Sequence, residues 1–407
     1  MWSYTGSGST GKFVDLGFEP QWVLVKNTDA GTPWVLIDTM RGMVVDGDGV
    51  RLLANQDVAE VSSASYFAPR PTGMEVTQQN TYVNTSGQNY VYMAIRRPHK
   101  PASEFAATNL FAVNSRGAVS PPPSFYSGFV VDAQLRASDI SSSSDGTLLF
   151  DRLRGETNAL HTHSTQAESA AGSTVTEQDQ MEGIGSNTGV DTNDLSWMWR
   201  RAPGYFDVVC YNGTGSARTV AHNLAVAPEM IWLKNRSSSA NWELYLNAGG
   251  TEYGYYGLDQ KYVGLSTSLS TWNNTSPTNS VVSVSSQSSN SSYSYVMYLF
   301  ASAPGISKIG TYSGTGSELT VDCGFSAGAR YVLIKRADSS MGSGGESYFV
   351  FDTVRGITAS SSPYIPLNDT DAQASGSFIK PDSSGFKVTT ESVVNTSGKT
   401  YAFYAIA

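Results

Sequence analysis

At 407 residues, with 40% hydrophobic and 11% aromatic side chains, the chain can fill several hydrophobic cores of ordinary domain size. Only 15% of its residues are charged and the formal net charge is −9, and no run of Lys and Arg supplies a basic surface, so a phosphate backbone is excluded as the expected partner. No segment approaches eighteen consecutive apolar residues, and "MWSYTGSGST" has neither a basic start nor an apolar run, so neither membrane insertion nor a cleavable signal is expected.

In chain order, the first phrase "SYTGSGSTGKFVDLGFEPQWVLVKN" (3–27) reads as a strand, a Gly/Ser turn, a second strand, a loop and a third, very apolar strand. It returns as "CYNGTGSARTVAHNLAVAPEMIWLKN" (210–235) and "TYSGTGSELTVDCGFSAGARYVLIKR" (311–336). Tyr4, Tyr211 and Tyr312 hold matching places, as do Lys26, Lys234 and Lys335 at the end of the third strand. A second marker follows: "IDTMRG" with Asp38, Arg41 and Gly42, "FDRLRG" with Asp151, Arg154 and Gly155, and "FDTVRG" with Asp352, Arg355 and Gly356. Before the second of these, "GFVVDAQLRASDI" stands where a third strand belongs, so a degenerate unit occupies the second place. Closing phrases begin at Asn84, Asn187, Asn290 and Asn395, and in them aromatic or aliphatic residues alternate with small or polar ones, the period of a half-buried strand.

The expected architecture is therefore all-β: four tandem antiparallel β-sandwiches of jelly-roll or lectin-like type, at 1–100, 101–204, 205–304 and 305–407. Short Pro-bearing links such as "RRPHKPAS" and "RRAPG" predict beads on a fairly rigid rod, each closing its own core. The first copy lacks the leading strand of the later ones, which fits a piece of a longer chain. Cys210 and Cys323 hold non-equivalent places and are expected to be free thiols.

The phrases "AVAPEMIWLKNRSSSANWELY", "FDTVRGI" and "SWMWRRAPGYFDVVCYNGTGS" resemble a tandem module of about one hundred residues in tailed bacteriophages, especially those of marine and cyanobacterial hosts. The resemblance implies a β-sandwich module in virion structural proteins, chiefly tail-fibre or appendage proteins that meet the host surface, and brings no catalytic residues with it. It implies location in the virion, other virion proteins and a host-surface glycan or protein as partners, and a homotrimer. Two departures stand out: the third unit has "LNAGG" at 246–250 in place of the Asp-x-x-Arg-Gly marker, and the second lacks the Gly-Ser opening.

Candidate sites divide into structural and functional readings. For the marker, a carboxylate capping its own turn, a Gly at positive φ and an Arg tied to nearby carbonyls is preferred over a ligand site. His161 and His163 form an H-x-H pair without an evident third ligand, and Asp46 and Asp48 in "VDGDG" lack the spaced acidic pattern of a calcium loop, so no metal and no cofactor is expected. With no nucleophile motif and four scattered His, the chain reads as a non-enzyme. The tyrosine-rich stretch "TEYGYYGLDQKYVG", with Tyr253, Tyr255, Tyr256, Tyr262 and nearby Trp272, is the expected contact surface.

Overall fold

A computed structural model describes residues 2–47, 49–62, 65–116, 123–138, 140–141, 146–170, 178–185, 193–260, 266–338 and 347–407. Within them all strand pairs are antiparallel, and four large sheets of five or six strands are each accompanied by a small sheet of two or three. Each large sheet takes every strand from one stretch of chain: 2–96, 111–199, 206–300 or 307–406. We call these units one to four.

The plan recurs. In unit one the strand Pro20–Asn27 lies between the closing strand Asn89–Arg96 and the marker strand Val35–Asp38. Met230–Asn235 and Tyr331–Arg336 are flanked in the same way in units three and four, and Ala133–Ala137 in unit two. One face of each large sheet packs on its small sheet, as Val23, Val25, Ile37 and Tyr90 do on Val14, Met74 and Val76.

The repeated opening is explained by a clasp between the two ends of each unit. Tyr4 stacks on Tyr90, Tyr211 on Tyr295 and Tyr312 on Tyr401, each at 5.1 Å and nearly parallel. The opening hydroxyls donate to the carbonyls of Val83, Ser288 and Val394, each at 2.7 Å. Asn84 and Asn395 fasten the opening turn through both amide atoms, Nδ2 donating to Ser9 and Ser317 and Oδ1 accepting from the Ser7 and Thr315 amides. In unit three the register puts Ser289 in this place, so the closing phrase starts one residue before Asn290. The first Gly of the motif sits against the closing turn; a Cβ on Gly6, Gly213 or Gly314 would lie 2.2, 1.9 or 2.2 Å from a backbone oxygen. Only glycine allows that approach.

The rod is corrected. The second faces of the large sheets of units two, three and four are buried together in one central cluster containing Leu135, Trp197, Trp199, Trp232, Tyr298, Phe300, Leu333, Tyr404 and Ile406. Rings meet across the unit boundaries: Trp197 and Trp199 lie edge-on to Tyr331, and Phe300 is tilted against Tyr404. The ring is closed at three equivalent points, two of them by hydrogen bonds. Tyr298 of unit three donates to Asp151 of unit two at 2.6 Å, and the Trp197 indole of unit two donates to Asp352 of unit four at 3.2 Å. Tyr404 of unit four lines a small apolar gap with Leu246 of unit three. The strand registers make Trp197, Tyr298 and Tyr404 equivalent to one another, and Asp151, Asp352 and Leu246 likewise.

Unit one is attached differently, chiefly through ions and hydrogen bonds, with only Val45 and Ala68 of its described residues reaching the central cluster. Arg201 forks onto both oxygens of Glu19 at 2.6 and 2.7 Å while its Nε donates to Asp207 at 2.7 Å. Asn223 adds a bond to Glu19, the Val45 amide donates to Leu153, and Arg236 pairs with Asp46 at 3.1 Å. Its second sheet face stays open: Met93 is 49% and Ile95 47% exposed, whereas their equivalents Tyr298 and Phe300 are at most 2% exposed.

An isolated 205–304 fragment would expose Trp232, Tyr298 and Phe300 to water, and burying each such side chain contributes about 1.5–3 kcal/mol. We predict that it aggregates or stays partly unfolded in size-exclusion chromatography, and that calorimetry of the whole chain shows units two to four melting as one transition. Burial by itself would raise the carboxyls of Glu168 and Asp207, but Arg236 and Arg154 on the first, and Arg201 and Arg97 on the second, outweigh it and hold both below their ordinary range. A depressed folded pKa gives stability that is complete above the unfolded value of about 4 and lost as pH falls through the folded one. The melting temperature should therefore drop as pH goes from 5 toward about 3; a flat profile there would count against these pairs as the inter-unit ties.

Candidate functional site

The marker has one local geometry in its three copies. Asp38 Oδ1 accepts from the Arg41 amide at 2.9 Å, Asp151 Oδ1 from the Arg154 amide at 3.0 Å and Asp352 Oδ1 from the Arg355 amide at 2.9 Å. In each the arginine Nε returns to the other carboxylate oxygen, at 2.8, 2.5 and 2.6 Å, and Gly42, Gly155 and Gly356 follow at φ of 104°, 91° and 105°. An αL-like φ with no Cβ ends the turn.

What differs is the surroundings. Asp151 and Asp352 are buried in the ring, where their Oδ2 atoms accept from Tyr298 and Trp197, and the second guanidinium nitrogens of Arg154 and Arg355 donate to the carbonyls of Leu149 and Val350, both at 2.8 Å. In unit one no ring from a neighbouring unit reaches the marker, and Arg41 Nη2 folds back onto Asp38 at 2.5 Å instead. The side chains of Asp38 and Arg41 keep 17% and 23% of their surface exposed.

This open marker lines a cleft of about 600 Å³ between units one and two, within the usual range for small-molecule sites. Trp22, Met40, Val130 and Met181 form its apolar walls. Its polar groups are Asp38, Glu19 and Asp132 against Arg41, Arg97, Arg152, Arg200 and Arg201, an excess of five guanidiniums over three carboxylates. Asp38 is held by Arg41, and Glu19 by Arg201. Asp132 accepts from the Arg201 amide. Arg152 is 7% exposed and donates to the Val131 carbonyl from Nε and Nη2, at 3.2 and 2.9 Å; among the described residues no carboxylate comes within ion-pair distance of it. Burial pushes its pKa below the ordinary guanidinium value, with Asp132, Glu156 and Asp179 opposing from farther away. Arg200 lies over the Phe105 ring at 4.8 Å.

The other expected sites fare differently. Trp272 is fully buried in the core of unit three, edge-on to Tyr245, and has no surface to offer a partner. Tyr253 lies on the edge strand Thr251–Tyr256, paired with Glu243–Ala248, and is half-buried, with part of its side chain packed against the central cluster. The side chains of Tyr255 and Tyr256, and all of Tyr262, lie outside the described residues, as does Asp48. His161 and His163 meet edge to face at 5.3 Å, and Asp46 is engaged by Arg236; among the described residues no group of three or more His, Cys, Asp or Glu could hold a metal ion. Cys210 and Cys323 are free and buried, their thiols pushed up to about 12 by burial.

The cleft was missed in the sequence because its walls come from 19–41, 97–98, 130–153, 181 and 200–208. One partial signal was present: Met93 stands where the later closing phrases carry Tyr298 and Tyr404, so unit one has no aromatic ring to set on a neighbour's marker and does not join the ring of units.

The chain belongs to the family described as a domain of unknown function, DUF7483, whose model matches residues 1–98 and 126–407. No curated protein and no solved structure matches it.

The two environments of the marker predict different costs for one substitution. Asp151→Asn would leave the buried Arg154 with Glu168 as its one carboxylate partner and weaken the Tyr298 bond, and should cost about 3 kcal/mol or more. Asp38→Asn, partly exposed, should cost about 1 kcal/mol or less. Urea unfolding of the two variants side by side checks this, and equal losses would contradict the ring's role.

Proposed function

We propose that this chain is a structural, non-catalytic component of a bacteriophage virion, a tail-fibre or appendage segment that binds the host surface. The observation that carries the reading is the fourfold recurrence of phrases resembling the phage module, each seated in a sandwich of the same plan. The physical form supports it. Units two to four, locked face to face, make a stiff base, and unit one, held chiefly by ion pairs, brings an open cleft of mixed indole, guanidinium and carboxylate character to the surface. Thiols pushed up to about 12 offer no thiolate nucleophile at neutral pH. The rival readings are a capsid-attached fibre or decoration protein, and, further off, a glycan-depolymerising spike.

The proposed partners are other virion proteins and a host-surface glycan or protein, with no nucleic acid and no membrane insertion; among the described residues no helix is long and apolar enough to cross a membrane. The proposed assembly is a homotrimer of the whole chain, although units two to four already provide, inside one chain, the face-to-face burial that a trimer of single sheets would supply.

Gold-labelled antibody on intact virions should mark tail appendages. Label confined to the head would move the protein to the decoration class, and release of new reducing ends from host polysaccharide would overturn the non-catalytic reading. Light scattering at micromolar protein should give three times the chain mass of 43.6 kDa; a monodisperse monomer would refute the trimer.

A further inference from the structure

We propose that the open marker of unit one is a saccharide-binding socket selective for sugars that carry a carboxylate or sulfate, with Asp38 receiving a sugar hydroxyl, Trp22 stacking on the sugar ring and Arg200 and Arg152 facing the anionic substituent. This rests on, and deepens, the reading of the chain as a non-catalytic adhesive protein.

The argument begins with what the same motif does elsewhere in the molecule. In unit two the marker carboxylate, while already held by its own arginine, accepts a hydroxyl: Tyr298 donates to Asp151 Oδ2 at 2.6 Å. In unit four the same oxygen accepts an indole N–H. A hydroxyl carried by a ring is thus a demonstrated occupant of this position. In unit one the acceptor and its arginine are intact, the neighbour's ring is missing, and Arg41 Nη2 sits on Asp38 where that donor would be. In units two and four the corresponding nitrogen has moved to a backbone carbonyl. An incoming hydroxyl on Asp38 would need only that same rearrangement.

The cleft around Asp38 then decides which hydroxyl-bearing molecule fits. Trp22 lies directly across the strand pair from Asp38, so its indole stands beside the carboxylate on the same sheet face. A sugar ring has an apolar face for the indole and hydroxyls at its rim for the carboxylate, whereas a purely apolar ligand would bring no donor to Asp38. The volume of about 600 Å³ admits two or three sugar rings. The arginine excess sets the charge of the ligand. Arg152 is buried with carbonyls but no carboxylate at ion-pair distance, and Arg200 is engaged by an aromatic ring, so both guanidiniums can still take a counter-ion. A carboxylate or sulfate on the sugar supplies it by charge-assisted hydrogen bonds.

The test uses the full-length protein, titrated with trigalacturonic acid and, separately, with uncharged maltotriose, by isothermal calorimetry and tryptophan fluorescence. Trigalacturonate should bind at least tenfold more tightly than maltotriose, and the difference should shrink as sodium chloride is raised. Asp38→Asn and Arg200→Ala should each weaken trigalacturonate at least tenfold while circular dichroism stays unchanged, and Trp22→Ala should abolish the fluorescence response. Tyr126→Ala, an exposed aromatic outside the cleft, should leave the affinity as it is. Equal affinity for the two sugars, or trigalacturonate affinity unaltered in Asp38→Asn and Arg200→Ala, would overturn the assignment. So would preferential binding of N-acetyltyrosinamide over both sugars, which would make the socket a protein-docking site. Virions labelled on their appendages by a protein that binds no acidic sugar would sink this inference and leave the proposed function standing.

Discussion

The second apolar face of the large sheets is the constraint on which the rest of this molecule depends. A sandwich buries one face of its large sheet on its small sheet and ordinarily turns the other to water. In units two, three and four the outer face carries Trp197, Trp199, Trp232, Tyr298, Phe300, Leu333, Tyr404 and Ile406, far too much apolar surface to leave hydrated. Three such faces meeting in one cluster is the solution the chain adopts, and each unit is thereby made dependent on the other two.

Polar groups within that cluster are placed so that burial does not leave them orphaned. Asp151 and Asp352 enter the interior already neutralised by Arg154 and Arg355, and each takes one donor from the next unit. Unpaired carboxylates there would be prohibitive, and paired ones give the ring a directional register that apolar packing lacks. Unit three, whose marker carboxylate is replaced by Leu246, faces Tyr404 across a small apolar gap at the same point of the ring. The departure of "LNAGG" from the repeat thus marks a different kind of joint, and the aromatic segment after it is the edge of a sheet.

Unit one shows what the motif becomes when the ring does not include it. Its attachment rests on the Glu19–Arg201–Asp207 cluster, on Arg236 reaching Asp46 and on Val45 and Ala68 at the edge of the central cluster, none of which covers its outer sheet face. The marker, freed from its role as a joint, faces a cleft in which carboxylate, indole and guanidinium groups converge. Repetition supplied the scaffold, and one missing contact left part of it open.

The amino-acid sequence by itself determined the all-β class, the recurring strand plan, the clasp written in Tyr4, Gly6 and Asn84 with their copies, and the turn chemistry of Asp38, Arg41 and Gly42, because these are local or recur at fixed offsets. The half-buried strand expected for "NYVYMAIR" is found, although its open face carries the apolar Val91, Met93 and Ile95. The same half-buried reading fails for "SYVMYLF" and "TYAFYAI", which are buried on both faces, because the alternation does not show that a second apolar face is covered by another unit. Only the tertiary structure decided that units two to four cover one another, that Trp272 serves packing and Tyr253 does so in part, and that Asp38 lies open while Asp151 and Asp352 are sealed. The reason is that identical local motifs acquire opposite environments from residues a hundred or more positions away, and that information lies in how whole faces fit, beyond the reach of any spacing along the chain.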